Sequence, residues 1–207
     1  YTRTIGRNSR IKNHGDGPNT QIRAIITDRG AIGWGASSVP DEKMPALTGR
    51  TIAELFDPAT GVILDEAMPL DYALHDLAGV ILDQPVHQML GGKGEMAIPC
   101  YDGAIYMDDL TPEEAPRGIG AIIENCRNDY DMGYRDFKLK IGRGYQWMNP
   151  EEGLQRDIDV TRAVRERFHE SRILVDANDA YTRDGIIRYM DAVADCDIFW
   201  IEEPFRE

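Results

Sequence analysis

Hydrophobic and polar residues alternate along several short stretches of this chain, and each stretch predicts a strand. Residues 21–28 alternate, a turn follows at Arg29-Gly30, and residues 31–35 extend the pattern, which predicts an antiparallel hairpin. Residues 66–82 have the apolar spacing of a buried helix. Thr51 and Glu54 have the spacing of a capping box. A hairpin followed by helices predicts an α+β segment at the start of the chain.

From about residue 97, predicted strands alternate with predicted helices. Four apolar strands are expected, near residues 98–105, 136–142, 173–178 and 198–204. The segments between them have apolar residues at helical spacing, and Thr111 is expected to cap the first of these helices. This order predicts parallel βα units. A (β/α)8 barrel takes roughly 200 residues or more, so we expect this chain to be about the first half of a longer enzyme.

Ionisable residues lie at or near the ends of three of these strands. Lys138 and Lys140 alternate with apolar residues, so the two lysines share one face, roughly 6.5 to 7 Å apart. Asp176 and Glu202 end the next two strands. Because α/β folds place active sites at the carboxyl ends of their strands, these residues predict a site with a metal and a base. The alternatives are an exposed strand face for the lysines and a turn or helix cap for Asp176.

Five motifs in this order resemble the enolase superfamily, in its mandelate racemase and muconate-lactonizing enzyme branch. The motifs extend over most of the chain, and in sequence order they are Gly30-Ala31-Ile32-Gly33-Trp34-Gly35, Ala73-Leu74-His75-Asp76-Leu77-Ala78-Gly79 with Pro85-Val86 and Leu90-Gly91-Gly92, Lys138-Leu139-Lys140-Ile141-Gly142, Val175-Asp176-Ala177-Asn178 and Trp200-Ile201-Glu202-Glu203-Pro204. A Lys-x-Lys pattern alone is weak evidence, but the ordered set is specific.

The resemblance implies an α/β fold with an α+β cap. Residues 1–96 would form the enolase-like N-terminal capping domain, with its start incomplete. Residues 97–207 would form the first βα units of a (β/α)7β, TIM-type barrel, truncated after the fourth strand.

The resemblance also implies a chemistry, namely removal of the proton α to a carboxylate with Mg²⁺ stabilising the enediolate. Asp176 and Glu202 would be metal ligands, since Mg²⁺ prefers carboxylate oxygens, and the third ligand would lie beyond Glu207. Lys140 would be the base, and Lys138 would disfavour protonation of Lys140. Asn178 would bind a ligand carboxylate or the substrate. Glu203 would face away from the site.

Composition limits the partners that we expect. The 207 residues hold 23 Lys and Arg against 36 Asp and Glu, a net charge of −13, which argues against nucleic-acid binding. Apolar runs are too short to span a membrane. Three scattered cysteines suit reduced thiols in the cytoplasm. We expect a cytoplasmic homo-oligomer with a small carboxylate substrate. The polar loop of residues 7–20 is a possible substrate loop through Arg10, Lys12 and His14, although solvated side chains are the simpler interpretation.

Several functions remain open from the sequence. A dehydratase or racemase of a hydroxy acid or sugar acid is the first hypothesis. A cycloisomerase, or an amino-acid or dipeptide epimerase, uses the same Lys-x-Lys pattern. A catalytically silent enolase-like protein that acts through surface contacts is an alternative of another class. The residues that distinguish these functions would lie beyond Glu207.

Overall fold

The computed structural model describes residues 6–14, 19–94 and 97–206, which divide into two compact units. We call residues 19–94 and Ala97 the hairpin unit. Residues 6–14 and 98–206 form the sheet unit.

The hairpin unit contains short strands and helices. Its strands are β1 (Ile22–Ile26), β2 (Ile32–Ala36), β3 (Phe56–Asp57) and β4 (Gly61–Val62), and its α-helices are α1 (Met44–Leu47), α2 (Ile52–Leu55), α3 (Asp71–Leu82) and α4 (Val86–Met89). Strands β1 and β2 pair antiparallel with Ile26 opposite Ile32, so the predicted hairpin is confirmed. The capping box of Thr51 and Glu54 is also present.

The long helix of this unit is shorter than the apolar spacing predicts. Residues Asp65–Leu70 form a 3₁₀-helix, and α3 begins at Asp71. Pro69 explains the difference, because proline has no N–H to donate to the carbonyl of residue 65 and its ring crowds that carbonyl.

The sheet unit has α/β architecture with a single four-stranded parallel sheet. Its strands are β5 (Tyr101–Ile105), β6 (Asp136–Lys140), β7 (Ile173–Asp176) and β8 (Ile198–Glu202), in the spatial order β5-β6-β7-β8, and its helices are α5 (Ile119–Asp131), α6 (Pro150–Arg167) and α7 (Arg183–Ala192). Sequential strands are neighbours throughout, as in a partial barrel.

The prediction that Thr111 caps the first helix of this unit is wrong. Residues 112–115 form a turn, and α5 begins at Ile119 after Gly118, whose φ is +72°. Pro116 accounts for the delay, because a residue that precedes proline is disfavoured in the helical region. A helix capped by Thr111 would hold Pro116 in its interior, where proline removes a backbone hydrogen bond.

The core of the sheet unit lies between the sheet and its helices. Phe137, Leu139 and Ile141 are fully buried and pack in one cluster with residues of the three helices, including Ile122, Cys126, Leu154, Ile158 and Ile186. Successive side chains in a strand alternate, so Lys138 and Lys140 lie on the opposite face. Each lysine is only 8% exposed. The two lysines are therefore enclosed without joining the apolar core.

Residues 6–14 pack within the sheet unit. The amide of Met107 donates to Arg7 O at 2.9 Å, and Ser9 Oγ donates to Ala177 O at 2.8 Å. The sequence placed these residues with the hairpin because they precede it in the chain, whereas long-range hydrogen bonds group them with β5 and β7. Residues 15–18 of the predicted loop lie outside the described residues.

Two further features concern the helices and the cysteines of the chain. Across the described ranges, no helix has the length and apolar character needed to cross a membrane. Cys100, Cys126 and Cys196 form no disulfide within the described residues, and the latter two are buried.

Candidate active site at the carboxyl ends of the strands

Three ionisable residues form one row across the sheet. In the parallel ladders, Lys140 on β6 pairs with Asp176 on β7, and Asp176 pairs with Glu202 on β8. Paired positions on neighbouring strands point to the same face about 5 Å apart. The row therefore presents an amine and two carboxylates side by side where the strands end.

Lys138 lies two residues before Lys140 on the same face of β6, and its side chain extends to both carboxylates of the row. Its Nζ donates to Glu202 Oε2 at 2.7 Å and lies 3.2 Å from Asp176 Oδ2. Burial opposes the charge on Lys138, but the hydrogen bonds and negative charges of Glu202 and Asp176 raise its pKa above the ordinary value. Lys138 is thus a cation that neutralises part of the charge of the carboxylate pair.

Lys140 donates to Asp176 Oδ2, and its Nζ also lies 3.3 Å from Asn178 Oδ1. The ring of Tyr106, which follows β5, has its centroid 5.9 Å from the same Nζ, at the outer limit of a cation–π contact. These three contacts come from elements on both sides of β6. They hold the amine at the ends of the strands.

Asp176 is the most enclosed member of the row, with 1% of its surface exposed. Burial alone would raise the pKa of Asp176, but the hydrogen bond and charge of Lys140, together with Lys138, hold it below its ordinary value. The amide of Asn178 adds a hydrogen bond to Asp176 Oδ1 at 3.0 Å. These contacts therefore favour the ionised form of Asp176.

Asn178 and Glu203 lie just beyond the ends of β7 and β8, and their side chains are hydrogen-bonded to each other. Both have left-handed backbones, with φ of +48° and +43°, so strand alternation no longer fixes where their side chains lie. Asn178 Nδ2 donates to Glu203 Oε2 at 3.1 Å. Glu203 does not face away, as the sequence suggested, but reaches Lys140 indirectly through Asn178.

The three residues of the predicted substrate loop, Arg10, Lys12 and His14, make three different kinds of contact. Arg10 donates to the carbonyls of Asn178 at 2.5 Å and Asp179 at 2.8 Å, so it anchors the loop after β7. Lys12 pairs with Glu113 at 2.8 Å. His14 packs against Tyr106 with ring centroids 5.0 Å apart. Two of the three share a neighbour with Lys140, since Arg10 and Lys140 both contact Asn178 and His14 and Lys140 both lie beside Tyr106.

Sequence reasoning missed the aromatic residues beside the lysines. Tyr101 has its ring centroid 5.9 Å from Lys138 Nζ and packs edge-on against Trp200, and Tyr106 lies beside Lys140. For Tyr101, side-chain alternation along β5 was the one sequence signal that could have indicated its place beside Lys138. Tyr106 lies beyond the end of β5, where no periodicity applies.

The donor chemistry of the row suits a hard divalent cation. Asp176 and Glu202 offer oxygen ligands only, the type that Mg²⁺ prefers. The ammonium of Lys138 lies within 3.2 Å of both carboxylates, so one cation can contact the two together. Within residues 6–14, 19–94 and 97–206, however, His, Cys, Asp and Glu form no group of three or more that could hold a metal. Two protein ligands fit, and a third would have to come from elsewhere.

Comparison with known proteins identifies the family. A family model described as enolase C-terminal domain-like matches residues 121–207. A 3,6-anhydro-alpha-L-galactonate cycloisomerase of Streptomyces coelicolor is 35% identical over 136 residues, which are 65% of this chain and 33% of the relative. The chain belongs to the enolase superfamily. The resemblance that the five motifs indicated is thereby confirmed.

Other enolase-superfamily relatives extend over more of the chain. D-xylonate dehydratase of Haloferax volcanii is 24% identical over 204 residues, which cover 87% of this chain and 49% of the relative. Galacturonate dehydratase of Geobacillus sp., solved with D-galacturonate and 5-keto-4-deoxy-D-galacturonate, is 32% identical with a TM-score of 0.87, covering 99% of this chain and 55% of that one. A mutant of that enzyme is solved with Mg. The chain spans between a third and about half the length of these relatives.

Proposed function

We propose that this chain supplies the base and two metal ligands of an enzyme that removes the proton α to the carboxylate of a sugar-derived acid. The observation that supports this most directly is the row of Lys140, Asp176 and Glu202 on neighbouring strands, with Lys138 in contact with both carboxylates. An amine beside one buried and one half-buried carboxylate combines a proton acceptor with a cation site.

Asp176 and Glu202 would hold Mg²⁺ through carboxylate oxygens, together with a ligand from a part of the full-length protein that this chain does not include. A bound Mg²⁺ supplies electrostatic stabilisation for the negative charge that develops on the substrate when the proton leaves. Lys138 would keep the two carboxylates close together, because its ammonium offsets their mutual repulsion.

Lys140 is the proposed base. Its Nζ is held by Asp176 and Asn178, so the amine is aimed before a substrate arrives. After Lys140 loses a proton to solvent, its lone pair can accept the substrate α-proton. The C–H bond breaks, an N–H bond forms on Lys140, and the electron pair moves toward the substrate carboxylate. Asn178 would orient Lys140 during this transfer.

The names of the relatives support a sugar-derived acid as the substrate. They refer to galactonate, xylonate and galacturonate, all of which are polyhydroxylated carboxylates. In 5-keto-4-deoxy-D-galacturonate, the carbon next to the carboxylate is a ketone and the following carbon has lost its oxygen. Removal of an α-proton and loss of the β-hydroxyl, followed by tautomerisation, give this pattern. We therefore favour a dehydratase, with a cycloisomerase or a racemase as the alternatives that share the first step.

Hydrogen exchange tests the proposal without requiring the exact product. The full-length protein with Mg²⁺ is incubated in deuterium oxide with a panel of sugar acids that includes D-galacturonate, and proton NMR follows both turnover and the α-hydrogen. We expect the wild type to exchange or consume one member of the panel. Lys140→Ala should reduce that rate by about 10²- to 10⁴-fold, the usual contribution of a general base.

Lys93→Ala is the matched control, because Lys93 is an exposed lysine of the hairpin unit and its loss should leave the rate unchanged. Retention of normal exchange by Lys140→Ala would reject Lys140 as the base. Absence of any exchange or turnover by the wild type across this panel, extended to hydroxy acids and dipeptides, would favour the catalytically silent alternative.

A further inference from the structure

A buried arginine follows the lysine strand directly. Arg143 has 0% of its surface exposed, and its guanidinium donates to Asp109 at 2.6 Å and to Asp157 at 2.6 Å, both of which are also fully buried. Burial opposes the charge on Arg143, but the two carboxylates raise its pKa. Arg156 lies 3.4 Å from Asp109 and brings a second cation to this group. The cluster is thus an enclosed set of compensated charges.

The cluster contacts the backbone of the proposed base. Nη1 of Arg143 donates to Lys140 O at 3.1 Å. The side chain of Lys140 lies on the opposite face of the sheet from the core, whereas its carbonyl is held by a guanidinium that is fixed in turn by Asp109 and Asp157. A movement of Arg143 would therefore change the backbone from which Lys140 projects.

Asp157 on α6 fixes the turn that ends the lysine strand. Its Oδ2 accepts from the amides of Gly142 at 2.7 Å and Arg143 at 3.1 Å, and from the hydroxyl of Tyr181 at 2.7 Å. Gly142 has a φ of +98°, and a Cβ there would lie 2.6 Å from the Cβ of Ala180. The turn is therefore defined both by hydrogen bonds and by the requirement for glycine.

Three successive loops meet in this cluster. Asp109 follows β5, Arg143 follows β6 and Tyr181 follows β7. Burial raises the pKa of Tyr181, as does the neighbouring Asp157, so its hydroxyl stays protonated and donates. Buried ion pairs contribute little more to stability than apolar groups of similar volume. Directional hydrogen bonds in this cluster fix the relative positions of the three loops, which apolar groups of similar volume would not do.

We propose that Asp157, Arg143 and Tyr181 are positioning residues that set the location of the Lys140 amine relative to Asp176. This inference rests on the proposed function of Lys140. The connection between these three residues and the row is the backbone of the lysine strand and its turn. They act through the carbonyl of Lys140 and through the turn at Gly142. This route can affect catalysis because misplacement of a reacting group by about 1 Å can lower the rate about 100-fold.

Two tyrosines allow a matched test in the full-length protein. Tyr181→Phe removes the hydroxyl that donates to Asp157 Oδ2. Tyr189→Phe, the control, removes a fully buried hydroxyl that bonds Thr161 at 2.7 Å and has no bond to the Asp157 carboxylate. For each variant, kcat and KM are measured for α-hydrogen exchange or turnover with the sugar acid identified for the wild type, together with Tm and Mg²⁺ affinity.

We expect Tyr181→Phe to lower kcat about tenfold while KM and Mg²⁺ affinity stay within about twofold. Tyr189→Phe should lower Tm to a similar extent and leave kcat unchanged. Asp157→Asn should lower kcat further than Tyr181→Phe. If Asp157→Asn does not fold, the pair of tyrosine variants decides the question without it.

Equal effects of the two tyrosine substitutions on kcat would overturn the positioning role, as would a loss of Tm without a change in kcat for Tyr181→Phe. Lys140→Ala separates this failure from failure of the proposed function. If Lys140→Ala loses exchange and Tyr181→Phe keeps the wild-type kcat, only the positioning role is wrong. If Lys140→Ala retains exchange, both are wrong.

Discussion

Lys140 and Asp176 occupy paired positions on neighbouring parallel strands, and the Lys140 amine donates to the Asp176 carboxylate. The pairing places a proposed base directly beside a proposed metal ligand. Both side chains are nearly inaccessible to solvent, so changes to either one act in an environment where charges are weakly screened.

The first prediction concerns the carboxylates of the row. In the full-length protein, Asp176→Asn and Glu202→Gln should each weaken Mg²⁺ binding, because an amide oxygen lacks the charge that favours a hard dication. The loss should exceed the roughly 10- to 100-fold that follows removal of an outer partner. Isothermal titration calorimetry measures it. Glu203→Gln is the control, since Glu203 bonds Asn178 and lies outside the row. Unchanged affinity in Asp176→Asn would refute the metal assignment.

The second prediction concerns Lys138. Lys138→Met should destabilise the metal-free full-length protein by about 1–3 kcal/mol, because Asp176 and Glu202 lose the cation that both contact. Added Mg²⁺ should restore much of the loss, since a ligand that binds only the folded state raises its stability. Thermal unfolding with and without Mg²⁺ tests this. A loss of stability that Mg²⁺ does not reduce would show that Lys138 serves packing rather than charge balance.

The third prediction is a pH dependence at the segment of residues 6–14. The hydrogen bond and charge of Lys12, followed by those of Arg7, hold the pKa of Glu113 below its ordinary value. A lowered carboxyl pKa means that this contact stabilises the folded protein above the ordinary pKa and stops doing so as pH falls through the lowered one. Carbon NMR of the Glu113 carboxyl measures the titration.

Lys12→Ala should move the Glu113 pKa upward more than Arg7→Ala does, because Lys12 makes the larger contribution. Lys43→Ala, at an exposed lysine of the hairpin unit, should leave it unchanged. An unshifted Glu113 pKa in Lys12→Ala would mean that the two side chains do not pair in solution.

The fourth prediction compares two glycines of the hairpin. A Cβ at Gly33 would overlap the backbone of Leu77 in α3, so Gly33→Ala should cost about 3 kcal/mol or more by overpacking. Gly30 lies in the turn with a φ of +84° and has open space around it, so Gly30→Ala should cost only the backbone strain of about 1–2 kcal/mol. Chemical denaturation of both variants measures the difference. A Gly30→Ala cost as large as that of Gly33→Ala would contradict close packing of β2 on α3.

Part of the site was predictable and part was not. Lys138, Lys140, Asp176 and Glu202 were found because strand alternation and strand ends are visible in the sequence. The Arg143 cluster was missed, although Asp157 gave a signal, since it lies on the apolar stripe of Leu154, Ile158 and Val164. A charged residue on such a stripe requires a buried partner. Nothing near Arg143 in the sequence identifies it as that partner.

The sequence by itself determined the alternation of strands and helices after residue 97, the hairpin turn at Arg29-Gly30 and the shared face of the two lysines, because side-chain alternation and turn preferences act between residues close in the chain. Only the tertiary structure decided that Lys140, Asp176 and Glu202 share one row, that Ser9 bonds Ala177, and that Arg143 lies between Asp109 and Asp157. These relationships join residues from 14 to 168 positions apart. Their register is set by hydrogen bonds and packing between elements, which no local pattern records.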